Sequence, residues 1–210
     1  MKKILATAAL SAAVGATALV PTPATAAAAP AARQGTTSLA EVLGADGVKF
    51  DQKWGDFDIT EAAAYAVIDA DPQSPVALLA DGKTRLTAFI PTDKAFRNLV
   101  KDLTGKKLGT EKKVFKAVAG LGLDTVETVL LYHVVPGKTI TAAQAVDADG
   151  ASLPTALTGA ALTVQVANGK VKLVDLDPDA GNAKVTVPDI NKGNKQIAHG
   201  INKVLRPLDL

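Results

Sequence analysis

The chain contains no cysteine, and its 210 residues include two histidines, one tryptophan, two tyrosines and five phenylalanines. Without thiols there is no disulfide framework, no thiolate zinc site, no cysteine nucleophile and no lipid attachment at a processed N-terminus. The fold must be held by core burial alone. Two histidines without a His-x-x-x-His spacing are too few ligands for a zinc centre. Gly-x-Ser-x-Gly is absent, and the serines beyond residue 26 are Ser38, Ser74 and Ser152, each at a cap or turn-like position. There is no glycine-rich phosphate loop, and spacing singles out no pair of acids for glycosidic chemistry. The expectation is a protein that is not an enzyme and carries no cofactor and no catalytic or metal residues. So few aromatics also argue against a large aromatic binding surface.

Charge of one sign is lacking too. The 23 basic residues stand against 21 acidic ones, and taking away Lys2 and Lys3 with residues 1–26 leaves 21 against 21. A chain near neutrality, with its lysines spread among acids, has no electrostatic footprint for nucleic acid or an anionic membrane. The removal is motivated by Met1-Lys2-Lys3, the short apolar run to Val20 and the small-x-small site Ala24-Thr25-Ala26, which read as an export signal with the mature chain starting at Ala27. The run is too short, and too broken by Gly15, Pro21 and Pro23, to favour a transmembrane anchor. Residues 27–36 read as an Ala/Pro-rich linker, and residues 37–210 as one domain.

Within that domain the period changes halfway. "SLAEVLG", "DITEAAAYAVIDA", "SPVALLADG", "TDKAFRNLVKDL", "TEKKVFKAVAG" and "DTVETVLLYHVV" have helical spacing, most of them led by Ser, Thr or Asp as caps. "LTAFIP" reads as an early strand ended by Pro91, after which Thr92 or Asp93 caps a helix. "ALTVQVANGKVKLVDL" alternates around the hairpin dipeptide Asn168-Gly169, and "AKVTVPDI", "QIAHGI" and "NKVLRP" are further short strands. Helices first and strands second predict an α+β domain, a helical layer on a small, partly antiparallel sheet of short strands.

Individual residues support modest readings. His133 shares a helix face with Val126, Val129 and Leu130, so a buried neutral ring is predicted, with the polar corner Thr92-Asp93 as its hydrogen-bond supplier. His199 alternates in phase with Ile197 and Ile201 and points inward. Asp175, Asp177 and Asp179 suggest calcium, but Ala180 and Thr186 stand where the helix-loop-helix calcium pattern needs Gly and Glu, so a solvated turn is predicted. Phe50, Trp54 and Phe57 form either a packing edge of the helices or an apolar patch for a partner.

Three ordered stretches carry a resemblance. Thr87-Ala88-Phe89-Ile90-Pro91-Thr92-Asp93-Lys94-Ala95-Phe96, then Leu130, Tyr132, His133, Val134, Val135, Pro136 and Gly137, then His199, Ile201, Val204, Leu205 and Pro207 resemble the boxes of the fasciclin domain family. Gln196, Ala198 and Asn202 depart from its closing pattern, and the segment from Phe50 to Gly82 is longer than the common form. The resemblance implies a fasciclin-like fold and a secreted or cell-surface binding module for adhesion. Its partner would be an extracellular protein, a wall polysaccharide or a second copy. It also implies partner contact at Tyr132, His133, Asp189 and Ile190. The alternative is an extracellular carrier of a small apolar ligand, a pigment or a lipid, between helices and sheet.

Overall fold

A computed structural model describes residues 34–207 except 46 and 180. The export signal read at residues 1–26 and the linker as far as residue 33 lie outside the described residues. The end of that linker belongs to the fold instead: Gly35 pairs with Asn194, its N–H donating to Gly193 O at 2.9 Å and its carbonyl accepting from Lys195 N at 3.0 Å.

The helical half is α1 (Leu39–Leu43), α2 (Asp58–Ala70), a 3-10 turn (Pro75–Ala80), α3 (Asp93–Thr104), α4 (Glu111–Ala119) and α5 (Leu123–Tyr132). Caps set several starts. Ser38 Oγ accepts from Glu41 N, Ser74 Oγ from Val76 N, and Thr110 Oγ1 from Lys113 N. The apolar faces of α2 to α5 meet in one core, with Ile59, Phe96, Leu99, Val114, Val126 and Leu130 inside.

The strands are β1 (Leu86–Pro91), β2 (Val134–Pro136), β3 (Ser152–Pro154), β4 (Ala161–Ala167), β5 (Lys170–Val174), β6 (Ala183–Ile190) and β7 (Gln196–Ile201). They form one sheet of seven strands in the order β2-β1-β7-β6-β5-β4-β3, larger than the small sheet predicted. β1 and β7 run parallel, placing Phe89 opposite His199, while the other pairs are antiparallel. Both parallel strands are buried along their whole length, as strands covered on both faces must be. β4 and β5 bury alternate residues, Leu162, Val164, Val171 and Leu173, and Asn168 and Gly169 both take positive φ, the turn that matches strand twist.

Three elements went unread in the sequence: β2, β3 and a further helix, α6 (Ala142–Val146). "NKVLRP" is not a strand, because after Ile201 the chain leaves the sheet to bury Val204 and Leu205.

Candidate functional site

The two histidines are where the sequence places them, inside, but their partners are backbone atoms. His133 follows α5 directly, 4% exposed; its Nδ1–H donates to Val129 O at 2.6 Å and its Nε2 accepts from Leu205 N at 2.9 Å. The corner Thr92-Asp93 therefore does not serve it. Burial without a carboxylate pulls the ring down to about 4, opposed by the bond to Val129. His199 is also buried: Nε2–H donates to Ile140 O at 2.8 Å, Nδ1 accepts from Asp189 N at 3.2 Å, and the ring stacks on Phe89. Burial lowers its pKa as well. With both nitrogens committed, neither ring is free to move a proton for a substrate.

Of the residues implied for partner contact, Tyr132 is fully buried, its hydroxyl donating to Ala161 O at 3.2 Å, and His133 is enclosed beside it. Neither side chain has surface to offer a partner: Tyr132 packs among the buried residues of the sheet with Phe89 and Val135, and His133, the residue that ends α5, is buried beside it. Asp189 and Ile190 are half-buried at the end of β6, where the register against β7 slips and Asp189 takes φ 59°. Asp189 Oδ1 accepts from Ala142 N at 2.7 Å, and Oδ2 pairs with Lys192 Nζ at 2.7 Å. Burial works to raise this carboxyl, but the bonds from Lys192 and Ala142 outweigh it and hold it below the usual range.

The aromatic trio does not form one open patch. Phe50 packs on Phe115 with ring centroids 5.6 Å apart, and Trp54 lies under the Arg97 guanidinium at 4.1 Å. Phe57 covers Gly200, where a Cβ would come within 2.9 Å of its ring. Two aspartates of the 175–179 turn are held by Arg206: its backbone N–H donates to Asp175 Oδ2 at 3.0 Å and its guanidinium Nη1 to Asp177 Oδ2 at 3.1 Å. Asp177 is buried by this, so the turn is an arginine-clamped corner and not the solvated one predicted.

Sequence reading missed a cluster of acids where helices begin. Asp58, Asp93 and Glu111 are the first residues of α2, α3 and α4, and Asp56 lies in the loop before α2. Asp93 does not cap its own helix; its Oδ1 accepts from Ile59 N of α2 at 2.9 Å. Glu111 Oε2 accepts from Gln52 N at 2.9 Å, and Asp58 Oδ1 from Lys49 N at 3.3 Å. Burial, with Asp56 and Glu111 adding to it, pushes Asp93 up to about 8; burial likewise raises Asp56 and Glu111. A signal existed, since Asp58, Asp93 and Glu111 each open a helical run, but residues 56, 93 and 111 are brought together only by the fold.

Comparison with known proteins agrees with this architecture. The sequence model of the fasciclin domain family matches residues 66–207. The Synechocystis protein sll1483 is 39% identical over 118 residues, covering 54% of this chain and 56% of the relative. The chain thus matches about half the length of that relative. Among solved structures, a FAS1 domain pair from the insect cell adhesion molecule Fasciclin I superposes with a TM-score of 0.50 at 20% identity, over 69% of this chain and 46% of that one. That likeness concerns the fold. Among the described residues no helix is long and apolar enough to cross a membrane.

Proposed function

The chain belongs to the fasciclin domain family, and on that premise we propose that it is a secreted or cell-surface module that acts by binding an extracellular protein, a wall polysaccharide or a second copy of itself, and not by catalysis. The observation that carries this reading is the loop joining β6 to β7. Asp189, Asn191 and Gly193 all take positive φ, and the loop is fixed by side chains. Asn191 Nδ2 donates to Thr37 O at 2.8 Å and to Gln196 O at 2.9 Å, and Asn194 Nδ2 donates to Asn191 Oδ1 at 2.7 Å. A polar surface loop ordered in advance loses little entropy when a partner arrives. Lys192 stands out from it with its side chain 64% exposed.

The carrier reading is less well supported. The apolar cavity between α2 and β1, lined by Ala64, Ile68, Leu79, Phe89 and Leu130, has a volume of about 50 Å³. A cavity of about 150 Å³ is what takes up a benzene molecule.

The test is retention of the purified chain on the producing organism's surface fraction and on immobilised copies of itself, comparing wild type with Lys192→Glu. The variant should lose retention several-fold, with no more than the small drop in melting temperature expected from losing its surface ion pair with Asp189. A wild-type chain retained by neither protein, polysaccharide nor itself would sink the reading.

A further inference from the structure

Most buried carboxylates in a folded chain have all their oxygens answered, because an unanswered one costs its desolvation. In the acidic cluster four oxygens are buried with no hydrogen-bond partner: Asp56 Oδ1, Asp58 Oδ2, Asp93 Oδ2 and Glu111 Oε1. Asp93 and Glu111 are fully buried and Asp58 is 6% exposed. The pattern is regular. In Asp58, Asp93 and Glu111 one oxygen is gripped by a backbone N–H, from Lys49, Ile59 and Gln52, and the other is buried without a donor, except that a protonated Asp93 bonds to the Asp56 carboxylate.

The converging helix starts do not satisfy these oxygens. The first N–H groups of α3 are spent elsewhere, Asp93 N on Asp56 O at 3.0 Å and Lys94 N on Trp54 O at 2.9 Å, and Ile59 N of α2 is already used by the other oxygen of Asp93. The two bonds from α3 also fix the loop that carries Asp56 against that helix. Oxygens of Asp56, Asp93 and Glu111 lie within 4.8 Å of one another, and a second such group, Asp51, Asp56 and Asp58, shares Asp56. Two ligands on one calcium ion, each about 2.4 Å from it, stand at most about 4.8 Å apart. The donors are all hard oxygens, with neither of the chain's histidines among them, which selects an alkaline-earth-like ion over zinc or copper.

We propose that Asp56, Asp93 and Glu111 bind one hard divalent cation, of which calcium fits best, with Asp58 supplying flanking negative charge. The ion ties the loop before α2 to the starts of α3 and α4, so its binding is a clamp on the helical half and involves no reaction. Protons shared between the carboxyls are the competing occupant. Each would neutralise one oxygen, and the experiment below separates the two.

The full chain, stripped of metal by chelation and dialysis, is titrated with terbium, a luminescent stand-in for calcium. Excitation goes through Trp54, the chain's one tryptophan, two residues before Asp56. A saturable signal displaced by calcium is expected, with a melting temperature that rises as calcium replaces chelator and rises less with magnesium. Glu111→Gln keeps the shape but removes a ligand charge. It should weaken terbium binding at least tenfold and melt higher than wild type in chelator, because a repulsive charge has gone. Asp56→Asn, in the loop, should weaken binding in the same way, and Asp179→Asn, in the arginine-clamped corner, should leave it unchanged. Equal melting temperatures of the wild type in calcium and in chelator, with no terbium signal, would overturn the proposal in favour of shared protons.

Discussion

At His133 the choice of tautomer is made by two backbone atoms on opposite sides of the ring. Val129 O takes the proton on Nδ1, and Leu205 N, 72 residues away in sequence, donates to Nε2. A protonated ring would lose the second bond and gain no anion. The folded pKa near 4 lies below the unfolded value of about 6.5, so the neutral ring's contribution is complete above about 6.5 and is lost as pH falls towards 4. The loss at the acid end is on the order of 3 kcal/mol. Urea unfolding at pH 7.5 and pH 5 should show wild type losing more stability than His133→Gln over that interval; equal losses would contradict the buried neutral ring. The helix face of His133 was legible from spacing alone. Its partners were not, since a backbone N–H has no residue type to read and Leu205 arrives only through tertiary folding.

Among the elements, helix starts and the hairpin were legible because caps and turn residues act locally: Ser38, Ser74 and Thr110 bond N–H groups two or three residues on. α6 carries the same kind of signal, a capping box of Thr141 and Gln144, and could have been read. β2 and β3, three residues each, are too short for a period to appear. How elements are joined was least legible, and Gln196 shows why. It stands where the family pattern has glycine, and there its side chain works as a bolt. Oε1 accepts from Leu39 N at 2.8 Å, and Nε2 donates to Leu78 O at 2.7 Å and Asp81 O at 2.8 Å. One fully buried amide thus joins α1, the 3-10 turn and the start of β7. Gln196→Ala leaves these backbone groups unanswered and should cost roughly 2 to 4 kcal/mol in chemical denaturation. A cost below about 0.5 kcal/mol, the range of ordinary surface substitutions, would mean the bolt is idle.

For the molecule as a whole, the two buried sets of titratable groups push stability in opposite directions with pH, which gives the cation clamp a signature no local probe would reveal. The histidines favour high pH, for the reason given. Asp93 favours low pH: its folded pKa of about 8 lies above the unfolded 3.8, so its contribution is complete below about 3.8 and is lost as pH rises through 8. Asp56 and Glu111 face it, Asp51 and Asp58 group around Asp56 with Lys53 paired to Asp51 and Lys49 near it, and burial raises Asp56 and Glu111 in the same sense. Between about pH 7.5 and 8.5 the histidines are nearly all neutral in both the folded and the unfolded chain, so the carboxyl set dominates the slope. Metal-free protein should therefore lose stability as pH rises across that window. A bound cation holds the carboxylates ionised in the folded state as they are in the unfolded one, so saturating calcium should flatten the slope. Melting temperatures at three pH values in the window, with chelator and with calcium, read this directly. A slope that persists unchanged in saturating calcium would mean that the carboxyls keep their protons and that nothing bridges the three helix starts.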